Sequence, residues 1–162
     1  MHRITLFLSL VFLWVSPALA TEWTQYTNPR YGFSIDLPQN VFEDANRSDN
    51  GDGLSISGLS GRATLLVYGF NNVLDQLPRD LADEPDSDLT AVEITYHRVK
   101  DSWAVVSGFA DVGDDRVVFY SRYQANEDFS RYSAFRLIYP VSVRGLFDPL
   151  VGRLSKSLTA PR

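Results

Sequence analysis

The chain has 162 residues, 44% of them hydrophobic, and carries a formal charge of −5 at pH 7 with no cysteine. This length suits one ordinary domain with its own core, and the acidic balance disfavours binding to nucleic-acid phosphates. The lack of cysteine excludes disulfides, thiolate metal sites and cysteine nucleophiles.

Residues 1–20 have the three-part pattern of a secretory signal peptide. A basic residue near the start precedes an apolar run over 4–15, and an Ala-Leu-Ala triplet ends at residue 20. The run is shorter than the roughly 20 residues that a membrane helix needs, although an uncleaved membrane anchor is the alternative. The sequence therefore predicts export to the periplasm or beyond, and a single globular domain over 21–162 with no membrane span.

Three short strands are predicted in the first half. Residues 31–38 alternate between apolar and polar side chains, and Pro38 ends this strand. Segment 54–57 alternates in the same way, segment 63–68 is predicted as a third strand, and the glycine-containing turn 58–61 joins them. An antiparallel pair is the expected result.

A helix is predicted after the third strand, because Asn71 and Asn72 are good helix caps. Pro78 either interrupts this helix or begins its second part. The acidic segment 80–88 follows as an exposed connection. The apolar residues assigned to the helix are Val73, Leu74, Leu77 and Leu81.

Four strands and a helix are predicted in the second half. The strands cover 92–99, 103–109, 116–123 and 132–139. Apolar residues at steps of three and four then predict an amphipathic helix, which Pro149 should kink or restart. Its apolar face comprises Val143, Leu146, Phe147, Leu150, Val151, Leu154 and Leu158.

This order of elements predicts an α+β fold, an antiparallel sheet covered by helices. The segment 26–38, which contains Tyr31-Gly32-Phe33-Ser34-Ile35, resembles the opening of the PsbP/Mog1-like superfamily. The chain is also similar to small uncharacterised exported proteins of proteobacteria. The resemblance implies an α/β/α sandwich, but little about function, since members range from photosystem accessory subunits to nuclear transport factors. It brings no catalytic motif.

Catalytic chemistry has few candidates in this sequence. His97 is the one histidine beyond residue 20, and in a regular strand it lies on the face opposite Ile94 and Tyr96. A Ser-His-Asp triad would need it as the base, but no Gly-x-Ser-x-Gly motif accompanies it. Paired carboxylates occur in polar loops, where nothing is expected to separate their pKa values. These pairs are Asp83 with Glu84, Asp86 with Asp88, and Asp114 with Asp115.

The string Asp49-Asn50-Gly51-Asp52-Gly53 suggests a calcium site through Asp49 and Asp52. In that alignment Leu59 takes the position of the bidentate glutamate, which is therefore missing. Asn-Gly and Asp-Gly pairs are also common turn signals, and a tight turn is the preferred interpretation.

Aromatic residues crowd the predicted strands, and two arginines interrupt them. A sheet covered on both sides explains most of the aromatics as core. Some of them are candidates for a partner surface or an apolar pocket, because Tyr, Trp and Arg are common interface residues. The candidate interaction surface consists of Trp103, Tyr120, Arg122, Tyr132 and Arg136.

These observations favour a non-enzymatic exported domain that binds an envelope protein or a small ligand, with no cofactor and no nucleic acid. Two alternatives stay open: a small hydrolase that uses His97 or carboxylates, and a calcium-responsive domain around Asp49 and Asp52.

Overall fold

The computed structural model describes residues 21–84 and 88–162. The predicted signal peptide and Asp86 lie outside these residues, so both stay expectations of the sequence. None of the helices within the described ranges is long and apolar enough to cross a bilayer.

The described part of the chain contains nine strands, two α-helices and one 3₁₀ turn. In chain order they are β1 (Trp23–Thr27), β2 (Ser34–Pro38), β3 (Asp44–Arg47), β4 (Gly53–Gly58), β5 (Ala63–Asn71), α1 (Pro78–Asp83), β6 (Thr90–Val99), β7 (Trp103–Val112), β8 (Asp115–Ala125), β9 (Arg131–Pro140), a 3₁₀ turn (Val141–Val143) and α2 (Arg144–Ser157).

Seven of the strands form one antiparallel sheet in the order β3-β4-β5-β9-β8-β7-β6, and β1 and β2 form a separate antiparallel pair. The last strand, β9, inserts between β5 and β8, which joins the first and second halves of the chain. The predicted strands are all present. The sequence pattern missed β1, in which one of five residues is buried, and β3, whose four residues are all exposed and show no alternation.

The two faces of this sheet hold two cores. We call one the α2 face, because α2 and the β1–β2 pair pack on it, and the other the α1 face. Phe147, Leu150 and Leu154 of α2 are buried against the first core, and Ala82 of α1 against the second. Helices therefore cover both sides of an antiparallel sheet, and the predicted fold class is confirmed.

Helix α2 corrects two details of the prediction. It runs unbroken through Pro149, so the helix does not restart there. Leu146, assigned to the packed face, is 48% exposed. Val143 lies in the 3₁₀ turn before the helix, and this turn shifts the phase of the apolar pattern.

The first part of the predicted helix, from Asn71 to Leu77, is wrong, whereas a helix does begin at Pro78, which was one of the two interpretations of that proline. Strand β5 extends to Asn71, and α1 starts only at Pro78, in the first-turn position where the missing N–H costs nothing. Asn72 closes the intervening loop rather than capping a helix: its Oδ1 accepts from the N–H of Gln76 at 2.9 Å, and its Nδ2 donates to the Gln76 carbonyl at 3.0 Å. Val73 and Leu74 are consequently exposed.

The Tyr-Gly-Phe motif has a structural role. Asn28 Oδ1 accepts from the backbone N–H groups of Arg30 and Tyr31 at 2.9 and 2.8 Å, which forms the turn before the motif. The ring of Tyr31 then lies over Gly69 of β5: a Cβ at Gly69 would stand 2.5 Å from Tyr31 Cγ. A glycine in β5 is therefore what lets the motif pack on the sheet.

We expect Gly69→Ala to lower the free energy of unfolding by about 1–3 kcal/mol, because the Tyr31 ring must move to admit the methyl group. The matched control is Gly152→Ala in α2, where an added Cβ meets no atom within 4 Å. The control should raise stability by about 0.5–1 kcal/mol through helix propensity. Chemical denaturation measures both, and an unchanged midpoint for the Gly69 variant would contradict this packing.

Tyr139 of β9 joins the sheet to α2. Its ring stacks on Phe147 with centroids 5.1 Å apart, and its hydroxyl donates to Asp148 Oδ1 at 2.6 Å. Burial and this hydrogen bond to the carboxylate raise the pKa of Tyr139 well above the ordinary value of 10.0. The folded state therefore favours the protonated hydroxyl.

Stability should thus be intact below pH 10 and should fall as the pH rises from there toward the higher folded-state pKa. Tyr139→Phe removes this ionisation and should flatten part of the alkaline loss, at a cost of about 1 kcal/mol near neutrality for the lost hydrogen bond. Burial also raises the pKa values of Tyr120 and Tyr132, so some alkaline loss remains. The measurement is the free energy of unfolding as a function of pH across this range. An equal slope for wild type and variant would refute the role of Tyr139.

Candidate functional site

The five residues of the predicted interaction surface divide between the two faces of the sheet. Successive side chains of a strand point to opposite faces, and β8 pairs with β9 so that Arg122 stands opposite Phe135. Trp103, Tyr120 and Arg122 therefore share the α2 face with Phe135, and Arg136 points to the α1 face.

Tyr132 is not a surface residue. It is 0% exposed, its ring stacks on Phe70 at 5.3 Å, and its hydroxyl donates to the carbonyl of Gln76 at 2.8 Å. Both faces of β9 are covered, so buried and exposed residues do not alternate along this strand. The sequence pattern therefore did not show that Tyr132 belongs to the core.

Arg136 is held apart from the other candidates by an ion pair on the α1 face. Its two Nη atoms each donate to one carboxylate oxygen of Asp88 at 3.0 Å. This bidentate pair borders a cavity of about 380 Å³, whose walls include Val112, Val117 and Ile138 and whose rim also carries Arg62 paired with Asp115. In this structure the arginines of the cavity are already neutralised by carboxylates.

Trp103, Tyr120 and Arg122 do come together, and Tyr96 and Arg98 of β6 extend the group. We call these five residues the Trp–Arg surface. The guanidinium carbon of Arg122 lies 4.6 Å from the centre of the Trp103 ring, and that of Arg98 lies 5.7 Å from it. Both distances are within the range of cation–π attraction.

Arg122 has weak partners for a half-buried cation. Its Nη1 donates to Ser155 Oγ at 3.4 Å and its Nη2 to Gln124 Oε1 at 3.3 Å, and both acceptors are neutral. Its Nε is buried and has no hydrogen-bond partner in the structure. Within the described ranges no carboxylate lies within 4.0 Å of Arg122 or Arg98, whereas Arg144 and Arg153 each pair with one carboxylate and Arg116 pairs with two.

The surroundings of Arg122 also act on its charge. Burial lowers the pKa of its guanidinium, and only the neighbouring Tyr120 opposes this effect. Burial raises the pKa of Tyr120, whose hydroxyl lies 3.3 Å from the same Ser155 Oγ. For comparison, the carboxylate of Asp115 raises the pKa of the exposed Arg62. Arg122 is thus a cation whose desolvation is not offset by any carboxylate of the residues that the structure describes.

Sequence reasoning missed Arg98, and it also misplaced the first half of β6, which is irregular. Ile94 pairs with Gly108, but Tyr96 pairs with its neighbour Ser107, so the register shifts between them. Ile94 and Tyr96 therefore point to opposite faces, which corrects the expectation that they share one. Tyr96 and Arg98 lie on the α2 face. The hairpin that returns directly from β6 to β7 was the available signal that Arg98 and Trp103 are close.

His97 pairs with Val106 and lies on the α1 face, and the register shift brings Ile94 to the same face. Its Nε2 lies 3.0 Å from Asp83 Oδ1 of α1, and both side chains are exposed. Among the described residues this is its one ion-pair or hydrogen-bond contact, and no serine hydroxyl joins it. Of the paired carboxylates, Asp115 and Asp88 are committed to arginines. The hydrolase alternative gains no convergent set of groups here.

Asp49 and Asp52 lie in the turn between β3 and β4. Asp52 Oδ2 accepts from Asn50 Nδ2 at 2.8 Å, and the N–H of Gly53 donates to Ser48 Oγ at 2.9 Å, so the polar groups close the turn on itself. The hydrogen bond with Ser48 is the main cause that lowers the pKa of Asp52. Within the described ranges no three acidic or histidine side chains cluster as a metal site.

Comparison with known proteins supports the fold and gives no information on the Trp–Arg surface. No family model and no curated protein matches the chain. The solution structure of cyanobacterial PsbP (CyanoP) from Synechocystis sp. PCC 6803 is similar, with a TM-score of 0.61 at 14% identity over 90% of this chain and 96% of that one. An identity this low carries the fold alone. The chain therefore has a PsbP-like fold, as the resemblance of residues 26–38 implied.

Proposed function

We propose that this protein is a non-enzymatic exported domain that binds an envelope partner through the Trp–Arg surface. The observation that supports it is Arg122, a half-buried guanidinium that stacks on Trp103 and whose hydrogen-bond partners among the described residues are neutral. Export is supported by the signal-peptide pattern of residues 1–20.

The residue composition of the Trp–Arg surface and its position on paired strands favour binding. Trp, Tyr and Arg are the residues that most often dominate protein interfaces, especially at a partly desolvated centre with a more exposed rim. Here Trp103 and Arg122 are half-buried, and Tyr96 at the edge is 47% exposed. Because the five residues stand on paired strands, little conformational entropy is lost when a partner binds.

Residues beneath the surface keep it in place. Val105 pairs with Arg98 on one side and with Arg122 on the other, and it is 2% exposed. The long side chains beside it therefore cover it, as arginine stems commonly cover apolar positions. Ser155 of α2 contacts both Tyr120 and Arg122, so the helix fixes one edge of the surface.

Capture from an envelope extract tests the proposal when it is compared across surface variants. We expect wild type to retain a specific partner that Trp103→Ala and Arg122→Met lose, since each change removes one half of the stacked pair. Val73→Ser and Arg79→Met are matched controls, because both side chains are exposed outside this surface. Thermal melting confirms that each variant folds. A partner bound equally by all five proteins, or by none, would reject the surface as the binding site.

The same arrangement predicts that binding capacity costs stability. Arg122→Met removes a desolvated cation while keeping a long apolar stem, so we expect it to raise the free energy of unfolding by about 1 kcal/mol; partial solvent access keeps the gain small. Arg136→Met breaks the bidentate pair with Asp88 and should lower it by about 1 kcal/mol. Denaturant titration measures both, and destabilisation by Arg122→Met equal to that of Arg136→Met would contradict the prediction.

A further inference from the structure

The Trp–Arg surface has a charge opposite to that of the chain. The formal charge of the protein is −5, yet neither Arg98 nor Arg122 meets a carboxylate in the described part of the chain. The acids of neighbouring strands are committed elsewhere on the same face: Glu93 and Asp111 both bind Arg116 at 3.1 Å. The two guanidinium groups of this surface therefore have no carboxylate partner among the described residues, although the protein as a whole is acidic.

The hydrogen-bonding capacity of Arg122 indicates what group fits there. Charge-assisted hydrogen bonds between guanidinium and carboxylate are typically about 2.7–2.9 Å long, whereas those that Arg122 makes to Ser155 and Gln124 are 3.3–3.4 Å. A carboxylate would replace two long contacts with neutral oxygens by short contacts with an anion. It would also supply the counter-charge that the desolvated guanidinium lacks.

The aromatic residues indicate what surrounds that carboxylate. The plane of Trp103 lies against Arg122, and Tyr96 and Tyr120 stand on the two flanking strands. Tyr96 is 47% exposed, whereas Tyr120 is partly exposed and stacks on Phe135 with ring centroids 5.6 Å apart, so most of the apolar contact is available on the β6 side of the cation. Such contact suits side chains of a protein better than a hydrated small ion. A polymer of phosphates is disfavoured because the remainder of the chain repels it.

We propose, on the basis of the binding function above, that the partner is a protein segment in which a glutamate or aspartate lies between apolar residues. The carboxylate binds Arg122, the apolar neighbours pack on Trp103 and the tyrosines, and Arg98 adds attraction at the rim. Electrostatic complementarity of this kind sets partner choice and makes the affinity fall with salt.

Trp103 fluorescence gives a direct test in the full-length chain. The variant Trp14→Phe with Trp23→Phe leaves Trp103 as the sole tryptophan. We expect a saturable change in its emission on titration with a short peptide in which glutamate alternates with leucine. The glutamine analogue of that peptide should give none, and added salt should weaken the binding.

Variants separate a carboxylate site from non-specific attraction. Arg122→Met should weaken the peptide about 30-fold, the loss typical of a buried charge partner, and Arg98→Gln only a few-fold, as for a rim charge. Arg79→Met, an exposed arginine on α1, should leave the affinity unchanged. Equal binding of the glutamine peptide, or equal weakening by all three variants, would overturn the proposal.

Further arms identify the source of the anion and separate this proposal from the proposed function. Acetate and inorganic phosphate are added as competitors at a concentration equal to that of the peptide carboxylates. If either abolishes the peptide signal, the surface is a site for small ions, and the proposal of a protein partner is overturned. An envelope partner captured through Trp103 and Arg122, with no peptide bound, would reject the acidic segment while the binding function stands. Loss of surface-dependent capture as well would reject both.

Discussion

The pairing of β8 with β9 decides the face on which every important side chain lies. Both strands are covered on two sides, so their alternation separates two cores rather than a core from solvent. A slip of one residue would exchange Phe119 with Tyr120 and place Arg122 in the α1-face core. The Trp–Arg surface and the packing of α2 thus depend on the same register, because Ser155 of α2 contacts residues from β8.

Much of the fold was predictable from local patterns, and the exceptions have physical reasons. The strands with one buried face show period-two alternation, and α2 shows its three-four spacing, so both were legible in the sequence. The region after β5 was predicted wrongly, because Val73, Leu74 and Leu77 have the spacing of an apolar helix face. All three are exposed in or next to a loop that Asn72 closes. Apolar spacing without packing partners carries no helix.

The candidate site was predictable only in part. Trp103, Tyr120 and Arg122 share a face by simple alternation along paired strands, and this much followed from residue types. Tyr132 did not, since a strand buried on both faces gives no sign of which aromatic meets solvent. Arg98 was missed although its place opposite Val105 follows from the β6–β7 hairpin, because the register shift in β6 lies before Tyr96. The shift itself accompanies a close approach: a Cβ at Gly108 would stand 2.0 Å from the Glu93 carbonyl oxygen. Tertiary contact of this kind leaves only a lone glycine in the sequence.

The surface also explains how a shared fold acquires a particular use. Strand pairing places β6, β7 and β8 side by side, and of the five residues of the Trp–Arg surface only Tyr120 packs against one of the two cores. This arrangement allows the sheet to present Trp103 beside two arginines without losing its packing. Among the described residues Arg122 contacts Trp103 and two neutral oxygens, but no carboxylate offsets the desolvation of its guanidinium, and a bound anion would do so. In this respect Arg122 differs from Arg136, whose charge is satisfied within the domain itself.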